Sequence, residues 1–398
     1  MQANRRFMTV VLTLGAAWTA GCGPSSPFAE QTSPRLETTP TATFRAGSLL
    51  GTQALRGRNY LILDEVPLID EYYLFSIQTS EGTIQAHGLN MLTLRLEEMR
   101  AVELAERINT GSHVARGGVD SLRKTGEGLG EILSDPAGTL MRTPGGVERA
   151  ITEQFDPADR RAGSLVRRQL AAAIGCDPET SNPILKRMLD SIALRRKLGE
   201  LATGGALGLA VPGAGLLSGA AEIKHTVQTT LPHEINAGIE NRLLQIGIPQ
   251  NLAREFVRQP HFTTTQRMVF MWFFGQLQHV AGRAAVVTTA VQARDEPEAL
   301  GVIHQTVLLA QLAQRRTIRQ LTDTSPVVAV LDDDTLVAVR TADYLYNPQP
   351  AIDAVNRCRT GRPDTPAVLV ITGRFAPQAA QALVRAGIRP AENARLTW

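Results

Sequence analysis

No long block of one charge occurs in this chain of 398 residues, whose 41 basic and 38 acidic side chains alternate to a formal net charge of +3. A surface dedicated to nucleic acid would gather Lys and Arg on one face, so no nucleic-acid partner is expected. Cysteine is scarce as well: three in the whole chain exclude a scaffold stapled by several disulfides. Catalytic signatures are missing. There is no Gly-x-Ser-x-Gly elbow, no Ser-x-x-Lys pair with its companions, and no Gly-x-x-x-x-Gly-Lys phosphate loop. His233-Glu234 opens like a zinc-protease helix, but Ala237 stands where the second histidine belongs, and His225, His261, His279 and His304 are isolated. No catalytic residue, metal site or cofactor is therefore assigned, and the chain reads as a non-enzyme.

What is present begins at the N-terminus. Arg5 and Arg6 precede an apolar stretch from Phe7 to Trp18, and Thr19, Ala20 and Gly21 lead into Cys22. A positive start, a short apolar run and small residues at a cut describe a secretory signal peptide over residues 1–21. The run is shorter than the about 20 residues a spanning helix needs. Thr19-Ala20-Gly21-Cys22 resembles the lipobox of bacterial lipoproteins, although Thr19 stands where that family usually has a branched aliphatic residue. The resemblance implies a diacylglycerol on the Cys22 sulfur. Gly23 stands where the inner-membrane retention signal of better-known lipoproteins has Asp, which implies the outer membrane if the cell has two. Losing Arg5 and Arg6 with the leader, which carries no acid, leaves a net charge of +1. Cys176 and Cys358 then remain. In an oxidising compartment they can pair, and two unpaired buried thiols are the alternative.

Residues 22–45, rich in Pro, Ser and Thr, read as a flexible tether behind the lipid. A small unit over 46–110 follows, with strands at 60–63 and 72–79, a turn at Ser80-Glu81-Gly82, a return strand at 83–87 and a helix opening at Leu89. From 111 to 321 the pattern is helical throughout. Residues 116–150 are broken by repeated glycines into pieces too short to be stable alone, and regular helices follow at 158–175, 183–203, 233–246, 249–258, 263–282, 283–294 and 297–321. The 263–282 helix is apolar nearly all round, which predicts a central place.

Leu201–Ala221 is uncharged and carries six glycines, with small-xxx-small spacing at Gly204/Gly208 and Gly215/Gly219. Its weak apolarity and Pro212 predict a buried helical hairpin rather than a membrane crossing.

Residues 322–398 change period. Strands at 326–331 and 335–340 flank Asp332-Asp333-Asp334, a helix covers 350–359, Ala367–Ile371 is a buried strand and a helix at 377–386 closes on Gly387. Three consecutive carboxylates point to alternating sides of an extended chain, so a turn is expected rather than a cation site. The segment Val368–Ile388 looks like the strand-then-helix end of Mrr-type restriction-endonuclease-like domains. Those nucleases need a Glu-x-Lys motif on the hairpin, and Val337-Ala338-Val339-Arg340 does not supply one, so only a fold analogy follows.

The expected architecture is α+β: a mainly helical body between an N-terminal β-hairpin unit and a C-terminal ββαβα unit. The expected role is a lipid-anchored envelope protein with a protein partner, acting in interaction or assembly. An envelope hydrolase with dispersed catalytic residues and a membrane-perturbing protein are the alternatives.

Overall fold

A computed structural model describes residues 42–109, 167–172, 174–197, 223, 226–227, 230–359 and 361–394, all within one unit running from Pro40 to Trp398. The first sheet holds β1 (Ala42–Arg45), β2 (Leu61–Ile62), β3 (Glu65–Ile69), β4 (Tyr72–Thr79) and β5 (Gly82–His87), with the short helix α1 (Ala46–Leu50) after β1. β4 is its axis and pairs antiparallel with β2, β3 and β5. Every second β4 residue, Tyr73, Phe75 and Ile77, is buried, the period-two pattern of a sheet covered on one face. The cover is α2 (Leu89–Asn109), whose Leu92, Leu96, Met99 and Val102 are buried.

β1 corrects the tether, whose last four residues, 42–45, are a strand in register with β3. The reason is tertiary. Phe44 packs edge-on against Tyr73 and Tyr344, with ring centroids 5.1 and 5.3 Å apart, and such contacts hold a segment whose composition alone reads as coil.

The helical body contains α3 (Pro183–Lys197), α4 (Pro232–Gln245), α5 (Gln250–Arg258), α6 (Thr264–Gly275), α7 (Ala284–Val291) and α8 (Glu296–Arg315). α6 is shorter than the expected 263–282 helix. It starts on a capping box, with the Thr263 hydroxyl accepting from Gln266 N and Gln266 bonding back to Thr263 N, and it ends at Gly275. Past it the chain turns to bring Ala281 beside Gln320. Gly282, at φ +71, passes so near Leu321 that a Cβ would lie 2.0 Å from its carbonyl oxygen. The helix expected to run to 321 likewise stops at Arg315, and β6 (Ile318–Leu321) joins a sheet.

That second sheet adds β7 (Val328–Leu331), β8 (Leu336–Arg340), β10 (Ala367–Ile371) and β12 (Ile388–Ala391), in the order β12-β10-β8-β7-β6. β6, β7 and β8 are antiparallel, whereas β8, β10 and β12 are parallel. Parallel neighbours need crossovers, supplied by α9 (Gln349–Cys358) and α10 (Pro377–Arg385). A two-stranded pair, β9 (Tyr344–Leu345) with β11 (Arg374–Phe375), sits beside them. The ββαβα order is therefore present, widened by one strand at each edge, and the fold is α+β.

One core runs from Ala46 to Val339 and takes residues from the first sheet, the helices and the second sheet. A smaller core lies under α9 and α10, including Val355, Leu369 and Leu383. The expected boundaries at 110 and 321 therefore do not separate cores. The signal peptide, Cys22, the 116–150 segment and Leu201–Ala221 lie outside the described residues. No helix among the described residues is long and apolar enough to cross a membrane.

Candidate functional site: a buried polar junction

Hydrogen bonding pulls two acidic side chains into the place where the first sheet, α2, α8 and the second sheet meet. The β3–β4 turn consists of Asp70 and Glu71, at φ 48 and 72. Such mirror-type hairpin turns favour Asn-Gly, because other residues are strained at positive φ. Here the strain is held by docking. The Glu71 carbonyl accepts from Asp343 N and Tyr344 N at 3.0 and 3.1 Å. Its Oε1 accepts from Asn347 N at 3.2 Å, and its Oε2 lies 2.7 Å from Arg340 Nη2, though off hydrogen-bonding geometry. Burial pushes the Glu71 carboxyl up, against the opposing pull of Arg340.

Asp343 lies just past β8 and is 6% exposed. Its Oδ2 accepts from Tyr73 N at 3.0 Å, and Leu89 N reaches Oδ1 and Oδ2 at 3.2 and 3.0 Å. Leu89 is the first residue of α2, so a carboxylate 254 residues away in sequence caps an N–H that the helix itself cannot satisfy. Gly88, in the local capping position, has no side chain for the task. It stands at φ +97, and a Cβ there would meet the Tyr72 ring at 3.2 Å. Burial carries the Asp343 carboxyl up to about 7, although the two backbone donors and the nearby His304 act to lower it.

Around these acids lie Tyr72, Thr341, His304 and Asn90. The Tyr72 hydroxyl donates to the Thr341 carbonyl at 2.7 Å, and burial pushes it up to about 12. His304 is fully buried on α8, its Nδ1 2.6 Å from Asn90 Nδ2. Perturbed titratable groups gathered in one place mark a candidate site.

A second polar network ties α2, α8 and the loop before α3 to α6. Arg95 donates from Nη1 to Glu98 at 2.8 Å and from Nη2 to Glu296 at 2.9 Å. Thr180 donates to Glu98. Asp177 accepts from the Thr263 and Thr265 hydroxyls and from Glu179 N at 2.5, 3.2 and 2.8 Å. Glu179 takes Thr264 N at 2.7 Å, at the positive end of α6. Burial raises the Asp177 carboxyl to about 6 despite its hydroxyl donors.

Sequence reasoning missed both networks. Asp343 stands alone in Thr341-Ala-Asp-Tyr-Leu345, and no spacing rule links it to Glu71 or Leu89. The available signal was an acid set among apolar residues just beyond a buried strand.

Cys176 and Cys358, which the sequence allows to pair, are free thiols in the structure. The first packs on the large core and the second on the small one, so the disulfide is not formed. His233 is exposed on the first turn of α4. Asp332-Asp333-Asp334 form the β7–β8 turn, with Asp334 at φ 64, and each is engaged by arginine: Arg316 with Asp332 and Asp333 at 3.9 and 2.5 Å, Arg319 and Arg362 with Asp334 at 2.6 and 3.2 Å. Among the described residues no His, Cys, Asp and Glu group could hold a metal ion. Replacing the three aspartates together with Asn should therefore leave the urea midpoint almost unchanged, since exposed ion pairs contribute little. Calorimetric titration with Ca²⁺, Mg²⁺ and Mn²⁺ checks the rest, and tight binding that the variant loses would overturn the turn assignment.

Compared with known proteins, the chain matches no family model, no curated protein and no solved structure. What the junction can do rests on its own chemistry. Its carboxylates accept main-chain donors from distant elements and so fasten them to one another.

Proposed function

We propose that the protein is a lipid-anchored component of the cell envelope that acts by interaction or assembly with an envelope protein. The observation that carries this reading is the run from Arg5 and Arg6 through Phe7–Trp18 to Thr19-Ala20-Gly21-Cys22. Each buried CH₂ contributes about 0.8 kcal/mol of membrane affinity, so two or three acyl chains on Cys22 anchor stably where one would not. Gly23 supports the outer membrane as the address in a cell with two membranes. The body supports a scaffold, since Glu71, Asp343, Asp177 and Glu179 all bond to donors from other elements.

An envelope hydrolase is the second reading, favoured by Asp343, raised to about 7 with His304 nearby. Against it, the two groups are 6% and 0% exposed, so a substrate would have to open the junction to reach them.

Mass spectrometry of the mature N-terminus tests the anchor. A diacylglyceryl-modified Cys22 is expected, with Cys22→Ala abolishing both the modification and membrane retention. An unmodified Cys22, or a mature chain starting elsewhere, would sink the proposal. Crosslinking of the native anchored protein in whole cells tests the role, and a specific envelope partner should be captured.

A further inference from the structure

We infer that β5 is a self-association edge, along which a second copy of this chain adds its own β5 antiparallel about Gln85. The inference starts from where the main-chain groups of β5 point. β4 and β5 pair in continuous register from Thr79↔Gly82 to Leu74↔His87, with Ser76 opposite Gln85. The Ser76 carbonyl accepts from Leu63 N at 2.9 Å, on the side of β4 away from β5. Opposite residues of an antiparallel ladder exchange both their bonds or neither. Gln85 therefore turns its N–H and C=O away from β4, and Thr83 and His87, two residues to either side, do the same. Among the described residues no strand takes these groups. Thr83 and Gln85 are exposed, while Ile84 and Ala86 belong to the core.

An open edge invites pairing with another chain unless something blunts it, and the other edges are blunted. β1 and β12 are four residues long, and β12 carries Pro390, which has no N–H to offer. β6 is flanked by Ala281, whose carbonyl accepts from Leu321 N at 2.8 Å. β2 has two residues. β5 has six, with no Pro, no Lys, Arg, Asp or Glu, and no break in its register.

The occupant that fits this edge is a second copy. A two-fold axis at Gln85 sets Gln85 opposite Gln85 and Thr83 opposite His87, so each outward N–H and C=O of one strand meets its complement on the other. Along the strand no like charges face each other, a juxtaposition that destabilises cross-strand pairs. Ile84 and Ala86 come opposite each other on the core face of a continuous sheet, and the two Gln85 side chains lie together on its outer face. An isologous contact of this kind closes at two chains and hides β5 from further pairing. Stable interfaces bury at least about 1,200 Å², more than strands of this length supply, so the pair is weak in dilute solution. The lipid anchor proposed above strengthens it by confining both copies to one plane, and only that strengthening rests on the anchor.

Sedimentation of the full-length protein in detergent at rising concentration should show a monomer–dimer equilibrium. Gln85→Pro deletes an outward N–H while leaving the ladder to β4 intact, so it should weaken the dimer at least about tenfold. Gln85→Ala keeps the main chain and should keep the dimer. Crosslinking in native membranes, with Cys176 and Cys358 replaced by Ser, reads the register. Facing residues that exchange both bonds have Cα atoms about 5.5 Å apart, within the reach of a disulfide. Under oxidation Gln85→Cys should therefore crosslink to a dimer, and Thr83→Cys, which faces His87, should not. This second measurement decides the matter if Gln85→Pro does not fold. If mass spectrometry finds Cys22 unmodified, the anchor fails and sedimentation still decides the edge. A wild-type protein that stays monomeric up to about 1 mM, a dimer that Gln85→Pro leaves intact, or equal crosslinking at positions 83 and 85 would overturn the proposal.

Discussion

Phe270→Ala should cost about 3–5 kcal/mol of stability, the range for truncating a fully buried aromatic residue. Phe270 is 0% exposed on α6 and is the centre of a four-ring cluster. Its ring centroid lies 4.7 Å from Phe256, 5.4 Å from Phe274 and 6.4 Å from Phe262. Truncation removes the buried area, leaves a cavity between α5 and α6, and deletes three ring pairs that each add about 0.5–1.5 kcal/mol beyond area. Against a whole-domain stability of about 5–15 kcal/mol, the loss brings the protein near its unfolding threshold. Trp272→Ala is the control on the same helix. Trp272 is 38% exposed, so despite its larger ring the loss should be far smaller. Urea unfolding of the two variants decides the matter: equal losses would mean that the face of α6 carrying Phe270 is not the one buried.

The second large effect is on pH dependence. Global stability should rise by a few kcal/mol as pH falls from about 7 to about 5, the reverse of ordinary acid sensitivity. Asp343 and Asp177 are carried to about 7 and about 6 by burial, and burial moves Glu71 the same way. A carboxyl raised in the folded state binds its proton more tightly there than in the unfolded chain. Its contribution is complete below the unfolded value of about 4 and is lost as pH climbs through the folded one. Each pH unit inside that window is worth about 1.4 kcal/mol per group at most. Glu298 runs oppositely. Burial raises it, but its bonds to Arg294 outweigh that and hold it below its usual value, so its contribution fades only at lower pH. The optimum should fall near pH 5. Urea titrations from pH 4.5 to 8 measure the slope, and the double variant Asp343→Asn, Asp177→Asn should flatten most of it. A wild-type protein that is more stable at pH 7.5 than at pH 5 would contradict the assignment.

The reach of sequence reasoning shows in particular elements. β4 at Tyr72–Thr79, the start of α2 at Leu89 and β10 at Ala367–Ile371 lie where the pattern puts them, because each owes its form to a local period, two for a strand and 3.6 for a helix. The α+β class follows from those periods, as does the ββαβα order at the C-terminus. The Asp332–Asp334 turn was legible for a related reason, since Asp tolerates the left-handed conformation that Asp334 adopts.

Tertiary partners decided the rest. β1 lies in a segment of coil-like composition and is a strand because β3 offers it a ladder and Tyr73 and Tyr344 receive Phe44. β6 carries a helix-compatible pattern and becomes an edge strand because β7 and Ala281 lie alongside. Cys176 and Cys358 stay apart because each packs on a different core. The junction was the least legible of all: Glu71, Leu89 and Asp343 meet only after two sheets and two helices have packed. The sequence by itself determined the local elements and the fold class, each written in neighbouring residues. Tertiary structure alone determined which acids are buried and which backbone donors they serve, because desolvation and long-range hydrogen bonding depend on what surrounds a residue in space and leave no period in the chain.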